Sequence, residues 1–302
     1  MRILFAIPHY FDPSGDAKHG SVSPNRQPRI QALSACIASL HQTFGRGQWS
    51  IHIARRLAES VPRSATNDIE IVICTTGDRH LLSELPIPGH LYVHYPTRAE
   101  PTLLGFECHA VLRDRLGLFD YFCYLEDDLI LRDPLFFVKL GWFLRQVGTQ
   151  NVLQPNRCEL SVPGPCHKLY VDGDLAAHVL RPYRNVQQGK EFTGRVMGLP
   201  IRFVPAGNPH AGCFFLNAEQ MTHWVRQPHF LDRDTSFIGP LESAATLGLL
   251  KTFRVYKPAP ENAGFLEVQH FGGRFMSLIG KSIAPPEDAM RIGGDPKLPG
   301  SS

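Results

Sequence analysis

The stretch Tyr121-Phe122-Cys123-Tyr124-Leu125-Glu126-Asp127-Asp128-Leu129-Ile130-Leu131 sets three consecutive carboxylates inside an apolar run, and Asp133 follows shortly after. Crowded carboxylates resist joint ionisation, and burying one without a partner is costly. A cation relieves both problems. Hard divalent ions take oxygen ligands and bridge a few carboxylates to the phosphates of a substrate. The segment therefore reads either as a strand ending at a metal–diphosphate site or as a strand running into a solvated acidic turn. Alternate side chains of an extended segment share a face. That rule points Glu126 and Asp128 together, with Asp127 on the opposite side.

The elements that must position these groups follow from periodicity. Ile3-Leu4-Phe5-Ala6-Ile7 reads as a short buried strand, followed by a loop rich in Pro, Gly, Ser and Asp from Asp12 to about Pro28. Ile30, Leu33, Ile37 and Leu40, with Cys36 beside them, mark one helical face. Ile69–Cys74 is a second strand, ended by Thr75-Thr76-Gly77-Asp78. Leu91–Tyr95 is a third, closed by Pro96, and a helix over about Leu103–Leu116 leads into the acidic strand. Strands alternating with helices imply a mostly parallel sheet covered on both faces. Ligands of such sheets bind beyond the carboxyl ends of the strands, where Glu126, Asp127 and Asp128 fall.

The second half is less regular. Leu135–Leu144 reads as a buried helix, with short strands at Asn151–Gln154, Lys168–Val171, Ile201–Val204 and Cys213–Leu216. Asn217 is a candidate cap for a helix running to about Arg226. A further helix covers Leu241–Lys251, and Phe253–Lys257 is the last strand. From Ala284 onward Pro, Gly, Asp and Ser dominate, which predicts a disordered or loosely docked tail.

Composition narrows the class. The chain has 302 residues, 43% hydrophobic and 20% charged, with a net charge of +3. This is the profile of an ordinary globular protein and gives no argument for nucleic acid. No apolar run reaches the roughly 18 residues of a membrane span, and Ile3–Ile7 is too short for a signal-peptide core. Seven cysteines without a Cys-X-X-Cys pair read as free thiols in a reducing, cytoplasmic setting. Location at the inner face of a membrane, through peripheral contact, is compatible with that reading.

An apolar strand ending in an acidic X-Asp pair resembles the Asp-X-Asp motif of GT-A-fold, nucleotide-sugar-dependent glycosyltransferases. Here the first acidic position is Glu126. The opening strand, polar loop and Leu33-Ser34-Ala35-Cys36-Ile37-Ala38-Ser39-Leu40 are similar to that family's first βα unit. The resemblance covers about residues 1–275. It implies a Rossmann-like α/β domain over 1–283, with a nucleotide-binding half over about 1–134. The smaller mixed or antiparallel acceptor half would cover about 135–283, and the tail 284–302.

It further implies a nucleoside-diphosphate-sugar donor, a glycan or glycolipid acceptor, and a divalent cation on Asp128, Glu126 and His270. An imidazole ligand favours Mn²⁺ over Mg²⁺. Glu242, in the first turn of a helix, matches the general base of inverting members, with Asp234 in reserve; Glu242 could equally just complement the helix dipole. Pro8, His9, Tyr10, Thr75, Thr76 and Asp78 would join Glu126, Asp127 and Asp128 around the donor. Gly212 and Cys213 would lie on the acceptor side, with Gly212 allowing close approach of a sugar or simply marking a turn.

Gly280-Lys281-Ser282 lacks the first glycine of a phosphate-binding loop, and no Gly-X-Gly-X-X-Gly follows the first strand. Two other readings stay open. One is a sugar-phosphate nucleotidyltransferase, although the loop with Gly15, Lys18 and Gly20 lacks a compact glycine-rich basic signature. The other is a sugar- or nucleotide-binding module without turnover.

Overall fold

A computed structural model describes residues 1–14, 21–61, 67–184, 186 and 189–286; Gly15, Lys18, Gly20 and the tail from 287 onward lie outside them. The chain opens with β1 (Arg2–Pro8), α1 (Gln27–Phe44), β2 (Trp49–His52), β3 (Leu57–Ser60), β4 (Asp68–Thr76) and β5 (Val93–Thr97). Next come α2 (Leu104–Asp114), β6 (Tyr121–Leu125), β7 (Leu129–Ile130), α3 (Phe136–Val147), β8 (Asn151–Leu153), β9 (Asn156–Leu160) and β10 (Lys168–Tyr170). The last part holds α4 (Ala177–Leu180), β11 (Phe192–Val196), β12 (Leu199–Pro205), β13 (Cys213–Asn217), α5 (Ala218–Val225), α6 (Pro240–Thr252), β14 (Arg254–Pro258) and β15 (Glu267–His270).

The central sheet has the order β13-β6-β1-β4-β5. β4 and β6 flank β1, both parallel to it, and β5 extends the sheet in parallel beyond β4. β13 closes the other edge antiparallel to β6. Successive strands thus run outward from β1 to β5, then the chain returns to the far side of β1 for β6. The reversal lies between β1 and β6, and in open α/β sheets the crevice at that switch point is where ligands bind.

Alternation along the strands feeds two cores. Ile3, Phe5 and Ile7 of β1 and Cys123 of β6 pack with Leu33 and Ile37 of α1 and with Phe137 and Phe143 of α3. Leu4, Ala6, Phe122 and Tyr124 face the other way, onto α2, α5 and α6 through Val111, Trp224 and Ala244. The expected α/β class with parallel strands flanked by helices is therefore present. Among the described residues no helix is long and apolar enough to cross a membrane.

Several boundaries differ from the sequence reading. The acidic segment is not one strand: β6 stops at Leu125, residues 126–128 turn, and β7 joins β15, β9 and β10 in a second sheet. The third strand starts at Val93 and runs through Pro96, which an edge position tolerates. His270 ends a strand of its own, β15. A division near residue 134 is crossed by β13, which belongs to the first-half sheet. Asn217 does cap α5, in a reciprocal capping box with Gln220. All seven cysteines are free thiols.

His109 of α2 is buried among Phe106, Tyr124, Phe214 and Trp224, with Nε2 2.9 Å from the Ala244 carbonyl of α6. Burial pulls its pKa down to about 4, and that of His210 down to about 3. An unfolded histidine titrates near 6.5, so below that value the unfolded chain binds protons that the native chain refuses. Stability should be full above pH 6.5 and fall as the pH drops toward 4. His109→Gln, which keeps a donor for Ala244, should remove roughly 2–3 kcal/mol of this loss in urea melts across the window. An unchanged pH slope would show that His109 is already protonated in the fold.

Candidate active site

Beyond the carboxyl ends of β1 and β6 lies a cleft of about 670 Å³. Its walls include Pro8 and Tyr10 after β1, Glu126, Asp127 and Asp128 after β6, Arg29 of α1, Arg157 of β9, His270, and Ile238–Glu242 leading into α6. The three carboxylates meet different partners. Asp127 is buried; its Oδ2 lies 2.6 Å from His9 Nδ1, and its Oδ1 accepts a short hydrogen bond from Arg29 Nη2. Arg29 Nη1 also donates to Asp128 Oδ2 at 3.0 Å. One guanidinium therefore bridges two adjacent carboxylates. Burial alone would raise the Asp127 carboxyl, but Arg29 and His9 outweigh it and hold it below its ordinary value. The backbone turn, not strand alternation, sets this geometry, which corrects the expected opposition of Asp127 to Asp128.

Glu126 is the poorly compensated member. Arg157 Nη1 is 3.7 Å away, too far for a hydrogen bond, and burial pushes the Glu126 carboxyl up to about 8 against that attraction. Asp128 and Glu242 add to the upward push, which places Glu242 in the same electrostatic neighbourhood. Gly212 explains how Glu126 fits. Its carbonyl accepts the Glu126 N–H at 2.9 Å, its φ is +65°, and a Cβ there would come within 2.6 Å of Glu126 Oε2. The glycine makes room for a carboxylate, not for the sugar expected from sequence. Cys213 is buried with Sγ against the Ala211 carbonyl and does not line the cleft.

Arg157 is itself held from behind. Its Nη2 donates to Asp172 at 2.8 Å, and the buried Lys257 ammonium lies 3.6 Å from the same carboxylate while donating to the His210 carbonyl. His270 has a comparable anchor. The fully buried Glu159 takes its Nδ1 at 3.0 Å and also accepts the Phe275 and Met276 N–H groups. Nδ1 is then the protonated nitrogen, and Nε2 turns toward Asp128 Oδ2 at 3.7 Å, beyond hydrogen-bonding reach. A carboxylate holding the remote nitrogen of an imidazole is the usual support of a metal-ligating histidine. Asp128 Oδ1, buried without a hydrogen-bond partner, is a second open ligand atom beside His270 Nε2. Against this, among the described residues no three His, Cys, Asp or Glu side chains stand in metal-holding geometry. Any ion here would draw two protein ligands and complete its shell from elsewhere.

Glu242 arises from the start of α6, where Gly239 precedes the helix and Pro240 opens it. The Ser243 hydroxyl bonds both backbone groups of buried Phe237, pinning the entry. Ile238 between them has φ +60°, an outlier for a β-branched residue. It and Leu241 stay exposed and line the cleft with an apolar wall.

The remaining candidates fall elsewhere. Asp234 does not line the cleft; its hydrogen bonds to Ser236 and Lys251 hold it down to about 2, unsuited to accepting a proton near neutrality. Thr75 is buried against His94 Nε2 at 2.8 Å, Thr76 sits beside it, and Asp78 is exposed; none of the three lines the cleft. His9 acts from beneath, through Asp127. Sequence reasoning missed Arg29, Arg157, Asp172 and Glu159. Arg29 had a visible signal, a cation in the first turn of the helix after β1, where an acid is the commoner choice.

Compared with known proteins, the chain matches no family model and no curated relative.

Arg29 neutralises two carboxylates at once, so Arg29→Met should cost roughly 3–5 kcal/mol, the range for orphaning a buried ion-pair partner. Urea denaturation should show it, and the deficit should shrink in acid as Asp127, held below its ordinary value in the intact protein, protonates. A loss under 1 kcal/mol, or one unchanged at low pH, would mean these charges are solvated.

Proposed function

We propose that this chain is a GT-A-type glycosyltransferase that moves a sugar from a nucleoside-diphosphate donor to a hydroxyl of a glycan or glycolipid. The observation that carries the reading is the meeting of Asp128, His270 and Glu242, from three separate elements, in one cleft at the switch point of a parallel sheet. A donor's diphosphate belongs where cationic and metal-ligating groups converge. Arg157, braced by Asp172, offers a guanidinium to phosphate oxygens. Glu126, whose carboxyl burial pushes toward the neutral form, would donate to the same oxygens rather than ligate.

A divalent cation, Mn²⁺ in preference to Mg²⁺, fits Asp128 and His270, and bound there would neutralise charge on the departing diphosphate. Glu242 would take the acceptor's proton as its oxygen attacks, giving in-line displacement and inversion. The apolar wall of Ile238 and Leu241 beside it would exclude water from that attack.

One observation favours a second form of the same reaction. Arg29 already pairs with Asp128, and Arg157 faces Glu126, so guanidiniums could carry the leaving group without an ion. Nothing comparable favours nucleotidyl transfer or a binding module without turnover.

The test is release of nucleoside diphosphate from a panel of sugar donors, with Mn²⁺, with Mg²⁺, and in excess chelator. Asp128→Asn should abolish metal-dependent turnover. Glu242→Gln should lower kcat by roughly 100-fold or more while leaving donor affinity within a few-fold. Full activity in chelator would select the guanidinium form. Release of pyrophosphate from nucleoside triphosphates, or wild-type turnover by Glu242→Gln, would overturn the assignment of reaction or base.

A further inference from the structure

A second cavity, of about 1070 Å³, lies away from the cleft. Met1 and Tyr121 line it, so it opens at the starts of β1 and β6, the end of the sheet opposite the carboxylates. Its floor is apolar, from Phe137, Leu135 and Val138, and Leu135 and Val138 remain 52% and 60% exposed. Its polar rim carries Arg132 and Arg145, and among the described residues no carboxylate lines it.

Gln48 sits on the same rim, and the next residue begins the β2–β3 hairpin. This two-stranded ribbon joins no other sheet. Trp49 and Ile51 lie on one of its faces, opposite only Ser60 and Ala58, and Ile53 follows at the turn. Their exposures are 75%, 75% and 79%. Ser50, His52 and Glu59 take the other face. An isolated hairpin is marginal in water, and one with an open aromatic and aliphatic face is a surface waiting for a cover.

Charge identifies the cover. Among the described residues no carboxylate pairs with Arg56 at the hairpin turn, nor with Arg132 or Arg145 at the cavity. A second copy of the chain is disfavoured, because apposing hairpin and cavity would bring like charges together. A bilayer with anionic headgroups answers both features: the phosphates meet the arginines, and the interfacial acyl region takes Trp49, Ile51, Leu135 and Val138.

We propose that the β2–β3 hairpin and the adjoining cavity form a docking face for anionic phospholipid membranes. A bilayer there meets the end of the sheet opposite the cleft, so docking leaves the cleft open to soluble substrates. The proposal does not depend on the reaction assigned to that cleft.

Co-sedimentation of the full chain with phosphatidylcholine vesicles, alone or containing phosphatidylglycerol, tests it. Binding should require phosphatidylglycerol and weaken with salt. Arg56→Gln with Arg145→Gln should lower the partition coefficient roughly 25-fold, about fivefold per charge. Trp49→Ser with Ile51→Ser should lower it by about tenfold or more, with little shift of the urea midpoint, because these side chains are three-quarters exposed in the fold. Equal binding to neutral vesicles, no binding, or unimpaired binding by both double variants would overturn it. So would a concentration-dependent dimer in sedimentation that Trp49→Ser with Ile51→Ser abolishes.

Discussion

A single guanidinium, that of Arg29, allows two adjacent carboxylates, Asp127 and Asp128, to stand ionised at the end of a buried central strand. It reaches Asp127 and Asp128 together, and His9 closes Asp127 from the other side. Without compensation, adjacent anions in a site of this burial would protonate or unfold the turn. The contact also has mechanical consequences. Arg29 belongs to the first turns of α1 and His9 follows β1, so one charge cluster ties helix, central strand and acidic turn at the sheet's switch point.

Compensation around the cleft is graded. Asp127 is fully engaged and serves as a structural anion. Asp128 spends one oxygen on Arg29 and keeps the other without a partner. Glu126 has only a distant guanidinium and is driven toward its neutral form. Behind them, Asp172 with Lys257 fixes Arg157, and Glu159 fixes His270. Rigid supporting pairs of this kind hold open valences in place for something not supplied by the chain, which is the pattern of a preorganised site.

The ends of the central sheet differ in character, which a net charge of +3 conceals. Acidic groups and their buried partners collect beyond the carboxyl ends of the parallel strands. Arg132 and Arg145, without a carboxylate partner among the described residues, and exposed aliphatic side chains collect near the starts. The β2–β3 hairpin contributes no residue to either core, and its apolar face stays exposed beside the second surface.

Much of the frame was legible in the chain because it rests on local rules. The apolar runs of β1, β4 and β6, the 3.6-residue face of α1, and the cap residue Asn217 each declare themselves within a few residues. The position of Glu126, Asp127 and Asp128 beyond a strand end followed from the same rules. The β2–β3 hairpin escaped because Trp49, Ile51 and Ile53 alternate over too short a span, with no core to receive them. What only the tertiary structure decided is who neutralises whom. Arg29 lies 98 residues from Asp127, and Glu159 lies 111 from His270. Electrostatic partnership depends on distance in space and on burial, neither of which is written in the spacing of residues along the chain.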